Sequence, residues 1–273
     1  MARKTKPGNR ARGRKSQPLQ GLAAFVSGAA GAIFSDPYSP ALLRLKCLVG
    51  IALLPLCWIL FETFVVLLQA DTFAAAYWRT REFAFFGLGG ALWLVLFFFA
   101  RCRPMLAAYV AGHEWTHALF VILFRGKVTD ISVKPEAGFI ITDRTNFLIS
   151  LSPYFFPFYS AVVVLGWITF RWVVADHLHP DPVWLYALIG FTWMFHLSFT
   201  IWMVGRKQSD VDQNGRLFSF TVIFAANVLL LSGMLIVASP TASFRGFFAS
   251  FWENLCTFGP RFVETGVEVS RWF

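Results

Sequence analysis

Residues 111–117 read Ala111-Gly112-His113-Glu114-Trp115-Thr116-His117, inside an apolar run from Met105 to Phe124. The run is predicted to be a helix, where positions four apart share one face. His113 and His117 can then turn both rings to one metal ion. Glu114, the next residue round, is placed to handle the proton of a metal-bound water. Zinc fits best, because two imidazoles and a carboxylate leave a fourth position open for water. Zinc lowers the pKa of such a water to about 7.

The setting raises this above a chance match. A carboxylate near mid-bilayer costs roughly 2.5 kcal/mol or more, so such residues usually mark function. The chain around it is of membrane type. Its 273 residues are 57% hydrophobic, 18% aromatic and only 14% charged, too apolar for a soluble domain of this size. The fold class expected is an all-α polytopic membrane protein of about six transmembrane helices. The expected spans are about 45–68, 83–100, 105–124, 147–174, 183–204 and 217–238. The net charge of +9 does not point to nucleic acid. Seven basic residues fall in the first fifteen positions and others sit at span ends, where anionic headgroups attract them. The four cysteines form no C-x-x-C pair, so neither a disulfide framework nor a cysteine zinc site is expected.

Three regions follow. Residues 1–41 read as a basic, partly disordered tail with an interfacial apolar segment at Gly21 to Phe34. Residues 42–238 form the membrane domain, and 239–273 an interfacial C-terminal tail. Within the domain, Pro55 is expected to kink the first span, and Gly87, Gly89 and Gly90 to admit a close neighbour helix. Lys127 to Val133 alternates, Pro135 to Gly138 signals a turn, and Phe139 to Thr142 is a second strand. This predicts a short β-hairpin just after the H-E-x-x-H helix, with a free edge suited to an added substrate strand. Pro153 and Pro157 break the fourth span, which suits the wall of a cavity. Asn227 is expected to bridge helices by a hydrogen bond. His177 and His179 read as surface loop residues.

A catalytic zinc needs three protein ligands. Asp210, Asp212, His196 and Glu62 are the candidates for the third. Spacing alone leaves the choice open, and Glu62 reads better as a solvated acid at a span end.

Three pieces of the chain together resemble the site-2-protease-like intramembrane zinc metallopeptidases, and their bacterial branch in particular. The first is Gly112 to Ala118 followed by Gly126-Lys127-Val128. The second is Thr145-Asn146-Phe147 leading into Ser152-Pro153-Tyr154-Phe155-Phe156-Pro157. The third is Gln208-Ser209-Asp210 with Gly215. The resemblance implies that His113, His117 and Asp210 bind Zn2+ and that Glu114 is the general base. It implies cleavage of a membrane-anchored protein substrate in or beside its span, in the bacterial inner membrane. The chain departs from that pattern in lacking Leu-Asp-Gly at the third motif, an identifiable oxyanion-stabilising Asn, and room for a PDZ-like module. Two rival readings accompany it: an inactive metal-binding membrane scaffold, and a divalent-metal transporter lined by His113, His117 and His196. The topology that the resemblance implies puts the hairpin in the cytosol. Counting back two spans then leaves the basic tail outside, against the positive-inside rule; an extra span near 21–34 would reconcile them.

Overall fold

The computed structural model describes residues 39–69, 77–100, 102–135, 137–174, 181–206, 208–239 and 242–270. The basic tail, the apolar segment at 21–34, and His177 and His179 lie outside these residues. The order of elements is helical, interrupted by one hairpin. Helix α1 (Pro40–Gln69) is followed by α2 (Arg81–Phe99) and by α3 (Arg103–Leu123), which carries the H-E-x-x-H motif. Strands β1 (Val128–Val133) and β2 (Gly138–Thr142) come next. Short helix α4 (Phe147–Leu151) runs through a 3-10 turn (Ser152–Tyr154) towards α5 (Phe158–Val174). The chain ends in α6 (Val183–Val204), α7 (Ser209–Asn214), α8 (Arg216–Ala238) and α9 (Phe244–Ser270).

Among the described residues, four helices are long and apolar enough to cross a membrane: α1, α2, α6 and α8. A fifth span arises if α4 with its 3-10 turn counts together with α5, to which it is bent by 79°. The expectation of six is therefore corrected to four or five among the described residues. The helix missing from the set is α3, which is long enough at 21 residues but carries two imidazoles and a carboxylate mid-length. The outer surface agrees with a bilayer setting. Phe99, Trp172 and Val237 are 86%, 83% and 80% exposed, which is stable in lipid and costly in water.

Two helix pairings build the frame. In the first, α2 lies against α6 at glycines of both helices. A Cβ on Gly89 would strike the carbonyl of Ala187, and one on Gly190 the carbonyl of Phe86. Small residues let the backbones meet, which is how membrane helices gain packing energy. Gly87 meets nothing within 4 Å, so it takes no part. Aromatic rings fill the remaining space, with Trp93, Phe97, Tyr109, Phe195 and Phe199 in one buried cluster. In the second pairing α1 packs on α8, where a Cβ on Gly50 would stand 3.0 Å from the backbone of Phe218. Helix α9 lies against α1. Phe247 is buried, and Asn254 Nδ2 donates to Thr63 Oγ1 at 3.2 Å.

Two left-handed residues place the site. Helix α3 ends at Arg125 (φ 58°), where the Gly126 N–H donates to the Val121 carbonyl and turns the chain into the hairpin. The hairpin is antiparallel, pairing Ile131 with Ile140 and Ser132 with Phe139. Gly215 (φ 80°) joins α7 to α8 in a conformation a side chain would strain. The turn lets α7 fold back towards α3.

Candidate metal centre

Helical spacing brings the two motif histidines together as the sequence implied. The Nε2 atoms of His113 and His117 are 3.2 Å apart. Asp210, at the start of α7, adds its Oδ2 at 3.4 Å from His113 Nε2 and 3.6 Å from His117 Nε2. The three form a triangle of potential donors. A tetrahedral zinc with ligands at about 2.0–2.1 Å requires ligand atoms about 3.3–3.4 Å apart. The triangle matches one face of that tetrahedron and leaves the apex open. The donor set fits zinc in chemistry as well as in size.

The other third-ligand candidates are elsewhere. Asp212 faces outward and pairs with Arg216 at 3.0 Å. Glu62 pairs with Arg261 at 3.5 Å, on α1 and α9. His196 is buried on α6 beside a small cavity that also touches His113, but it is not a member of the donor cluster.

The orientation of each donor has a local cause. His117 Nδ1 lies 2.7 Å from the Ile149 carbonyl, so this nitrogen donates and Nε2 keeps its lone pair for the centre. That carbonyl is free because Pro153, four residues on, has no N–H to close the helical bond. Ser152 Oγ donates to the same carbonyl at 2.9 Å. The proline break thus makes part of the wall, as its sequence suggested. Tyr154 is wholly buried, and its single phenol O–H has two acceptors within reach, Asp210 Oδ2 at 3.3 Å and Gln208 Oε1 at 3.4 Å. Asn227 Nδ2 donates to the Tyr154 carbonyl at 3.0 Å, the helix bridge expected of it. Burial works to raise the Asp210 pKa, and the two imidazoles beside its Oδ2 outweigh this and hold the carboxyl well below the usual range.

Behind Asp210 stands a second line of contacts. Asn214 Nδ2 donates to the Asp210 carbonyl at 2.9 Å, and Lys46 Nζ donates to Asn214 Oδ1 at 2.8 Å. Sequence reasoning passed over Lys46, Asn214 and the Tyr154 hydroxyl. A lysine in an apolar span was a signal for the first. No signal short of the fold pointed to the other two.

A cleft of about 550 Å³ opens onto the triangle. Glu114 lines it beside His113, and β2 borders it through Gly138, Phe139 and Ile140. Gly138 sits directly over the glutamate: a Cβ there would be 2.6 Å from both Cγ and Oε1 of Glu114. The hairpin, a local structure by its pairing, is therefore also a border of the site.

No family model, no curated protein and no solved structure matches the chain.

Proposed function

We propose that the protein is a zinc-dependent intramembrane endopeptidase of the site-2-protease-like kind, acting on a membrane-anchored protein. The observation that carries this reading is the donor triangle of His113, His117 and Asp210 with Glu114 on the same cleft. His113, His117 and Asp210 would hold the ion. When bound, zinc supplies a Lewis acid that polarises a carbonyl and acidifies water.

The chain's own residues do the rest. Glu114 takes a proton from the attacking water and hands it to the leaving amine as the peptide bond breaks. The β2 edge takes an extended substrate segment as an added strand, holding its backbone beside Glu114. A transmembrane helix hides its peptide bonds in its own hydrogen bonds, so a segment with weak helix propensity is favoured. Tyr154 and the Ile149 carbonyl keep Asp210 and His117 oriented, which is the arrangement that makes ligands effective. The bilayer in question is expected to be a bacterial inner membrane.

The test uses full-length protein reconstituted with zinc and a tagged single-span reporter whose span contains Gly and Pro. The parent is expected to cut the reporter within or next to its span. Glu114→Gln is expected to keep zinc and lose cleavage. Equal rates for parent and variant would remove Glu114 from its role.

A further inference from the structure

Of the two motif histidines, only one has a visible support for its outer nitrogen. His117 Nδ1 is held by the Ile149 carbonyl. His113 Nδ1 is buried and has no hydrogen-bond partner among the described residues. Yet His113 Nε2 is the atom that faces His117 and Asp210. If Nε2 is the ligand atom, the proton is on Nδ1, and that N–H needs an acceptor. A buried N–H left unpaired is destabilising, so the site calls for an acceptor.

Two further polar atoms nearby share the same condition. Tyr109 Oη and His196 Nε2 are buried without a partner among the described residues. Tyr109, His113 and His196 all line one small cavity between α3 and α6, of about 20 Å³. A cavity needs about 10–15 Å³ to admit one water, and a buried water typically makes about three hydrogen bonds. The volume suits one water, and the three residues that carry the orphaned groups line it.

We propose that His196 is a positioning residue for His113, acting through one water held in this cavity. The His113 Nδ1–H donates to the water. The water donates one hydrogen to His196 Nε2 and shares a hydrogen bond with the Tyr109 hydroxyl. The arrangement fixes the His113 tautomer from α6, as the Ile149 carbonyl fixes that of His117. Rigid packing supports the two partners: the Tyr109 ring stacks on Phe199 at 4.7 Å, one turn along α6 from His196. The inference rests on the zinc reading for its functional consequence and on the cavity for its existence.

The experiment has two arms on the full-length protein. The first is zinc affinity by chelator competition for parent, His196→Leu and His196→Gln. Loss of an outer partner of a metal-bound histidine typically weakens metal binding by about 10–100-fold. His196→Leu is expected to show that loss, at unchanged zinc content under saturating zinc. His196→Gln, which keeps a hydrogen-bonding group, is expected to recover most of it. Parent-like affinity in His196→Leu would overturn the positioning role. The second arm is a high-resolution structure of the parent. Ordered solvent within about 3.2 Å of the three atoms is expected. Well-ordered side chains around a dry cavity would overturn the proposal whatever the metal result. A parent that binds no zinc would sink the metal reading alone, and the solvent density would still decide this one.

Discussion

Lys46 Nζ lies 2.8 Å from Asn214 Oδ1, a buried contact between residues 168 positions apart. It ties α1 to α7, and Asn214 carries the tie to the Asp210 carbonyl. The lysine, only 1% exposed, also fixes which end of the Asn214 amide points where: the oxygen to Lys46, the nitrogen to Asp210.

The two ends of that contact are unequal. Lys46→Met leaves a neutral amide oxygen unpaired and is expected to cost about 1–3 kcal/mol of stability. Asn214→Leu leaves a buried ammonium without its acceptor and is expected to cost about 3 kcal/mol or more. The double variant should be less damaged than the sum of the two. Thermal unfolding in detergent, with a double-mutant cycle, checks the order. Strict additivity would mean that the contact carries no energy.

Asp210 and Asp212 separate cleanly in space. Asp210→Asn is expected to abolish stable zinc binding. Asp212→Asn, which loses only an exposed pair with Arg216, should bind zinc like the parent and lose about 1 kcal/mol of stability at most. Metal content after dialysis compares them. Zinc lost from the Asp212 variant and kept by the Asp210 variant would reverse the assignment.

A Cβ on Gly138 would run into the side chain of the proposed base. Gly138→Ala places a methyl against Glu114 and against Val110 Cγ1, so either the hairpin or the carboxylate must move. Misplacement by about 1 Å costs about 10²-fold in rate. Cleavage of the single-span reporter should fall by that order with zinc content unchanged. A parent-like rate would show that the hairpin yields freely.

The Tyr154 phenol makes a long contact to Asp210, and its removal should be mild. Tyr154→Phe is expected to weaken zinc binding only a few-fold, in line with about 1 kcal/mol for an ordinary hydrogen bond. Chelator competition measures it. A loss of 100-fold or more would mean that Tyr154 does more than steady the carboxylate.

What could be read in advance follows from the range of each interaction. The paired histidines needed only helical spacing, and the hairpin needed only alternation and a turn signal. Pro153 predicted a broken wall because a missing N–H is a property of one residue. The choice of Asp210 over Asp212 turned on which side of a six-residue helix faces α3, and spacing could not supply that. The six-span expectation failed at α3 itself, where the residues that make the site also make the helix less apolar. Lys46, Asn214 and the cavity beside His196 depend on contacts between distant segments, which only the fold brings together.

The most direct test is the zinc content of purified full-length protein and three single variants, measured by elemental analysis. One zinc per chain is expected in the parent and in Glu114→Gln, and none in His117→Ala or Asp210→Asn. A parent without zinc after incubation with it, or a full complement in His117→Ala and Asp210→Asn, would contradict the account.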